Sequence, residues 1–245
     1  ENPFKDALNK SHELMGLVKN PEKVKIENIS IKSAEGFIDK IDDRLSDIED
    51  EISKLNTQIQ ALDADFNSLA PFKGLNYTLK GIYDMDFFKY RFGKIPKVNF
   101  DKFESYLDPD INAIFITTLA ATEYVYGVFF APNEYFEEVA KDFKNINFDE
   151  IAIAKKYKDF PDKECENILS QKEDLQKQVQ AKEDSINDVI EESKTKLVSA
   201  IRRIETAYSN FDVRKLSAVT RESGVNFQVL CGWMATKESK KLQKE

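Results

Sequence analysis

The chain is poor in the residues that interrupt or staple a fold. Eight glycines and seven prolines in 245 residues exclude a fibrous or loop-dominated protein. Two cysteines, Cys165 and Cys231, exclude a disulfide framework and suit a reducing compartment. There is one histidine, His12, short of the ligand count that zinc requires. "HELMG" (His12 to Gly16) opens as a zinc-protease helix would, but Gly16 occupies the place of the second histidine, so His12 reads as the edge of an amphipathic helix. "DPDIN" (Asp108 to Asn112) opens like a calcium loop, yet Ala113 stands where glycine is needed and Leu119 where the bidentate glutamate belongs; it reads as a turn. No G-x-x-x-x-G-K-[ST], G-x-G-x-x-G or G-x-S-x-G pattern occurs, so nucleotide cradles and nucleophile elbows have no support, and no cofactor is expected. Long apolar runs are missing too. The most apolar window, Ile111 to Ala121, is too short and too rich in threonine to span a bilayer, and nothing resembles a signal peptide.

Charge is abundant. At 33% charged residues, net charge -8 and a pI near 5.0, the composition favours long solvated helices over phosphate binding. The stretch 38–72 shows why. Ile38, Ile41, Leu45, Ile48, Ile52, Leu55, Ile59, Leu62, Phe66 and Leu69 advance by three and four, a coiled-coil seam on the order of 50 Å long. Asp42, Asp43, Glu49, Asp50 and Glu51 flank it as a solvated face, with no cleft to raise a carboxyl pKa for acid catalysis. So narrow a stripe is only marginally stable alone and demands a partner helix.

The partner is in the same chain. From Pro161, followed by Asp162 and Glu164 as a helix start, a second heptad runs to about Tyr208 through Cys165, Ile168, Leu175, Val179, Ile186, Val189, Ile190, Leu197, Ile201 and Ile204, slipping phase near residue 190. The two stretches should fold back antiparallel, with Leu45 near Ile186, Ile52 near Val179 and Phe66 near Cys165. Lys172 and Lys182 fall at inward positions, their stems along the seam and their heads reaching the first helix's acids.

Between the helices the period changes to two. Strands at about 84–95, 112–119, 122–130 and 147–153, with helices near 99–107 and 133–143, give the order βαββαβ, a ferredoxin-like unit with two helices on one face of an antiparallel sheet. In the first strand Phe88, Tyr90 and Phe92 alternate with Lys89 and Arg91, which predicts a greasy core face and a basic open face. Aromatics interleaved with bases on such a sheet also suit an RNA-recognition module, but "TEYVYGVFF" lacks the leading base and glycine spacing of that module's signature. The ends, an N-terminal helix (about 3–19), an extended run at 24–31, a helix end near Ser223, the strand "VNFQVLCGW" and a helix from about Thr236, should meet as a second, smaller α/β lobe. One strand makes no stable sheet, so this lobe reads as incomplete and the chain as a fragment.

Two motifs carry a resemblance. "YRFGKIP" (Tyr90 to Pro96) is similar to an R-F-G-x-[IV]-P strand end, and "CGWM" (Cys231 to Met234) to a G-W-[VAM]-P, in the N-terminal cytoplasmic part of the stator subunit of V-type and A-type rotary ATPases, called subunit I in prokaryotes and subunit a in eukaryotes. Ala235 replaces the proline, and the first β-α of that family's membrane-side lobe is absent.

The resemblance implies an α+β dumbbell: a proximal α/β lobe (1–32 with 209–245), an antiparallel coiled coil (33–70 with 160–208) and a ferredoxin-like distal lobe (71–159). It implies no catalysis. The role would be that of a stator at the cytoplasmic face of the membrane, binding the peripheral-stalk E and G subunits and lying near the central-stalk adapter and rotor ring, with no nucleic acid. Membrane contact and proton or other ion transport would belong to a C-terminal half, so a stator's reading frame should continue past Glu245 into apolar spans. A cytosolic coiled-coil tether needs none. Phe87, Lys89 and Arg91 are the candidate stalk contacts; Gly93, Pro96, Gly232 and Trp233 are candidate structural positions.

Overall fold

A helix with an apolar stripe needs a lid, and the computed structural model supplies one. It describes residues 2–106, 113–215, 218–222 and 225–229. The chain divides into two units, Glu1–Glu51 with Lys182–Glu245, and Ile52–Ala181. Two long helices, α2 (Ile31–Leu69) and α6 (Pro161–Lys215), contribute to both.

In the first unit, α1 (Lys5–Leu17) joins the helix pair. Ile38, Ile41 and Leu45 are buried with Val189, Ile190, Leu197, Val198, Ile201 and Ile204, and with Leu14 of α1 and Val18 just beyond it. Adjacent α6 positions such as Val189 with Ile190 and Leu197 with Val198 are buried together. The phase slip near residue 190 therefore marks where α6 gains a wider apolar face, enough to serve α1 as well as α2.

Polar ties hold the edges of this unit. Asn2, nearly buried, donates through Nδ2 to the Tyr208 carbonyl and to Asp212 Oδ1, both at 3.1 Å. The run after Lys23 is not paired as a strand; its Glu27 amide donates to Ser199 Oγ at 2.9 Å. Lys10 Nζ sits 2.8 Å from Asp39 Oδ1 and 3.0 Å from Asp42 Oδ2, and these hydrogen bonds hold its pKa above the ordinary lysine range.

The end of α6 differs from expectation, while the helix expected from about Thr236 lies outside the described residues. α6 ends at Lys215, not near Ser223, and Ala218–Glu222 pairs antiparallel with Val225–Val229, Glu222 facing Val225. The β-branched Val219 and Thr220 carry the strand signal.

The second unit holds a four-stranded sheet. Its elements run α3 (Leu79–Tyr83), β1 (Phe88–Pro96), α4 (Lys97–Tyr106), β2 (Ile114–Ala120), β3 (Tyr124–Pro132), α5 (Phe136–Asn145) and β4 (Asp149–Glu150). The order is β2-β3-β1-β4 with every pairing antiparallel. β4 is much shorter than the expected strand because the chain leaves the ladder after Ile151, and Ile153 packs against the core.

Both faces of this sheet are covered, which corrects the expectation of one open face. Phe92, Val128 and Phe130 pack against Leu69, Phe72, Leu79, Ile82, Cys165 and Ile168, that is, against α3 and the ends of the long helices. On the other face Ile95, Phe129 and Ala131 meet Phe136, Val139 and Phe143 of α5 and Phe100 of α4. Phe129 and Phe143 stack with ring centroids 4.2 Å apart.

Of the expected cross-helix neighbours, Leu45 and Ile186 belong to the core of the first unit, and Phe66 and Cys165 to that of the second. Lys182 Nζ pairs with Glu51, and Lys172 Nζ lies 2.6 Å from Asp63 Oδ1. The expected reach of both lysines to acids of the first helix is borne out.

Two glycines give opposite predictions. A side chain at Gly93 would collide with the Phe148 ring and the Asp149 carbonyl, so Gly93→Val should destabilise the sheet unit by about 3 kcal/mol in urea unfolding. Gly36, mid-helix in α2, has open space around it, and Gly36→Ala should raise the stability of the helical unit by about 0.5–1 kcal/mol.

Candidate functional site

The charged and aromatic groups singled out on the first strand cluster at one end of β1. Phe87, just before the strand, is 79% exposed, and its carbonyl accepts from the Asn133 amide at 3.1 Å. Lys89 and Arg91 project to the α5 side, where both stand over the Phe136 ring, Lys89 Nζ at 5.4 Å and Arg91 Cζ at 4.9 Å from its centroid. Arg91 is further engaged: its Nε lies 3.1 Å from Glu150 Oε2, and its Nη1 donates to the Tyr90 carbonyl at 3.1 Å. Lys89 is exposed and retains its charge for a partner; Arg91 is half-buried and spends much of its hydrogen bonding on the fold.

Gly93 is the close-approach position of β1, facing Gly127 on β3, and Pro96 ends the strand opposite Tyr124. α4 begins on the next residue, with the Lys97 amide donating to the Glu123 carbonyl at 2.8 Å. Gly232 and Trp233, with the rest of "CGWM", lie outside the described residues, as does "DPDIN". His12 is exposed on α1. Among the described residues no cluster of three metal-ligating side chains exists, and no helix is long and apolar enough to cross a membrane.

Two features of this unit were not read from the sequence. One is an apolar cleft of about 250 Å³ lined by Tyr77, Met85, Phe88, Ile114, Ile116 and Phe130. Its residues come from three separate segments, so no periodicity announces it. The other is a polar clasp on α2. Asp65 Oδ2 accepts from Tyr157 Oη at 2.7 Å and lies 2.6 Å from Lys156 Nζ, tying the segment after β4 to the helix. Partial burial raises the Asp65 pKa, but the bonds to Lys156 and Tyr157 outweigh it and leave the carboxyl below its ordinary value. The same geometry holds Lys156 and Tyr157 above theirs, Lys156 by its bond to Asp65 and Tyr157 by burial first.

No protein-family model matches the sequence, and no curated protein matches it. A solved structure does match: a crystal structure of the cytoplasmic N-terminal domain of subunit I, homolog of subunit a, of V-ATPase, with a TM-score of 0.55 over 86% of this chain and 70% of that one. The chain has that domain's fold. Identity over the match is 9%, so the likeness is one of architecture, a mixed helix-and-sheet fold with long helices and a four-stranded antiparallel sheet.

The clasp makes a pH-dependent prediction. A carboxyl whose folded pKa is depressed adds stability that is present above the unfolded value and lost as pH falls through the folded one. Asp65→Asn should therefore cost roughly 1 kcal/mol at neutral pH, after discounting the exposed Lys156 for solvent screening. The difference from the parent chain should close as pH falls below the ordinary carboxyl value of 3.8, as read by denaturant unfolding at both pH values.

Proposed function

We propose that this chain is the cytoplasmic stator domain of a membrane rotary ATPase, a non-catalytic part that links peripheral stalks to the ion-translocating membrane sector and resists rotor torque. The observation that carries the reading is the fold likeness to the subunit I domain. It falls on a chain whose "YRFGKIP" already resembles that family's strand end. On this reading the strand order supports a ferredoxin-like distal lobe at about 71–159, with the helix pair 33–70 with 160–208 and a proximal lobe at 1–32 with 209–245 as the domain's other parts. Gly93 is its close-approach glycine. Pro96 ends its first strand. The partners are the E and G stalk subunits, with the central-stalk adapter and rotor ring nearby. The domain works at the cytoplasmic face, and ion transport belongs to the membrane half of the full subunit.

Within the distal lobe, Phe87 and Lys89 are the stronger candidates for stalk contact, because both are exposed and Lys89 makes no ion pair among the described residues. Arg91 contributes through its charge while remaining anchored to Glu150. The test is a pull-down of purified E and G stalk subunits by the whole chain, followed by titration against salt. Lys89→Glu with Phe87→Ala should weaken binding about tenfold and flatten its salt dependence, since a contact at a charged rim acts through electrostatic complementarity. Arg91→Glu should weaken binding and also lower the unfolding midpoint. Unchanged affinity and salt slope in both variants would remove this surface from the stalk contact; no binding by the parent chain would remove the stator reading.

A further inference from the structure

The sheet of the second unit has an edge that its own last strand leaves open. β4 pairs with β1 only at Gly93 and Lys94, and one further bond runs from the Ile151 amide to the Phe92 carbonyl at 2.8 Å. That bond fixes which main-chain groups of β1 face the edge. Because the strand alternates, Tyr90 and Phe88 direct their N–H and C=O groups to the same side as Phe92. There the chain after Ile151 turns away. A groove of about 360 Å³ opens between β1 and the departing segment, lined by Tyr83, Phe88, Lys89, Tyr90, Arg91 and Lys155 among others. Among the described residues no main-chain group pairs with the edge amides of Phe88 and Tyr90. The Tyr90 carbonyl is capped by the guanidinium of its own neighbour, Arg91, at 3.1 Å.

A second observation lies in the same groove. The Tyr83 ring stacks on Tyr90 at 5.9 Å, yet its buried hydroxyl has no hydrogen-bond partner among the described residues. A buried hydroxyl without an acceptor is costly.

We propose that this edge is a strand-addition site: it takes an extended segment of a partner protein in which acidic and apolar side chains alternate. The alternation follows from the sheet. A strand laid beside Phe88 and Tyr90 sends every second side chain to the face of Lys89 and Arg91 and the rest to the face of Phe88, Tyr90 and Met85. Charge selects the acidic choice. Lys89, Arg91 and Lys155 line the groove against the single acid Glu150, which Arg91 already holds, in a chain whose net charge is -8. The occupant offers its main chain to Phe88 and Tyr90, taking over the carbonyl that Arg91 now caps.

This inference stands apart from the stator reading, since a coiled-coil stalk presents helices and this site takes a strand. The stalk pull-down can fail while the edge still binds, and the reverse.

The test uses the whole chain, labelled with 15N, and two octapeptides, one alternating glutamate and valine and the other lysine and valine. The acidic peptide should shift the Phe88 and Tyr90 amide resonances and slow their hydrogen exchange at least about tenfold, as newly bonded edge amides do. Phe88→Pro removes one edge donor at the strand's first residue, where proline is tolerated, and should weaken the acidic peptide about tenfold. Lys89→Glu with Lys155→Glu should do the same without touching the backbone, so the test survives if the proline variant fails to fold. Equal binding of the basic peptide overturns the proposal, as does unchanged exchange at Phe88 and Tyr90. Protection of those amides that rises with protein concentration alone would assign the edge to a second copy of the chain, and overturns it too.

Discussion

Everything in the molecule depends on the burial of one narrow apolar stripe. α2 carries isoleucine and leucine at three- and four-residue steps, and an isolated helix of that kind is marginal in water because its apolar side has nothing to pack on. Each buried isoleucine or leucine is worth about 1.5–3 kcal/mol relative to exposure. Ile38, Ile41 and Leu45 are nearly inaccessible in one unit, and Leu69 in the other. The seal comes from α6 in both, and the sequence separation of the two helices means that the seal closes a long loop. Lys182 with Glu51 and Lys172 with Asp63 add cross-helix ion pairs along the edge of the seam.

The sheet obeys the same demand for cover. A strand with aromatics on both faces needs packing on both, and β1 to β3 receive it from α4 and α5 on one side and from the long helices and α3 on the other. This arrangement explains why Gly93 and Gly127 face each other: bulky rings, Phe148 and Phe115, lie directly over them. It also explains the state of the basic residues. Lys89 and Arg91 survive at the rim of a covered face by lying on the Phe136 ring, a cation–π contact that keeps their charge near solvent.

Much of this was legible from residue spacing. The stripe of α2, its partner stretch, the order of strands and helices in the sheet unit and the inward lysines all follow from periods of 3.6 and two. What was not legible depends on cover and on distance along the chain. The pattern of Phe88, Tyr90 and Phe92 tells which residues share a face but not which element packs on it, so the open face was expected where α5 lies. The first hairpin strand, Ala218–Glu222, was read as helix because α6 runs directly toward it and the stretch holds only five residues. Asp65, Lys156 and Tyr157 meet only through the fold, and no local pattern marks them.

The likeness to a V-ATPase subunit I domain is one of architecture, long helices with a four-stranded antiparallel sheet. The most direct measurement of the central claim is disulfide cross-linking in a Cys231→Ser background. Ile48→Cys with Ile186→Cys tests the first unit, and Leu69→Cys with the native Cys165 tests the second. Antiparallel closure predicts rapid intramolecular disulfides at both places without loss of helical content. Failure of both pairs to close, or closure only between separate chains, would contradict it.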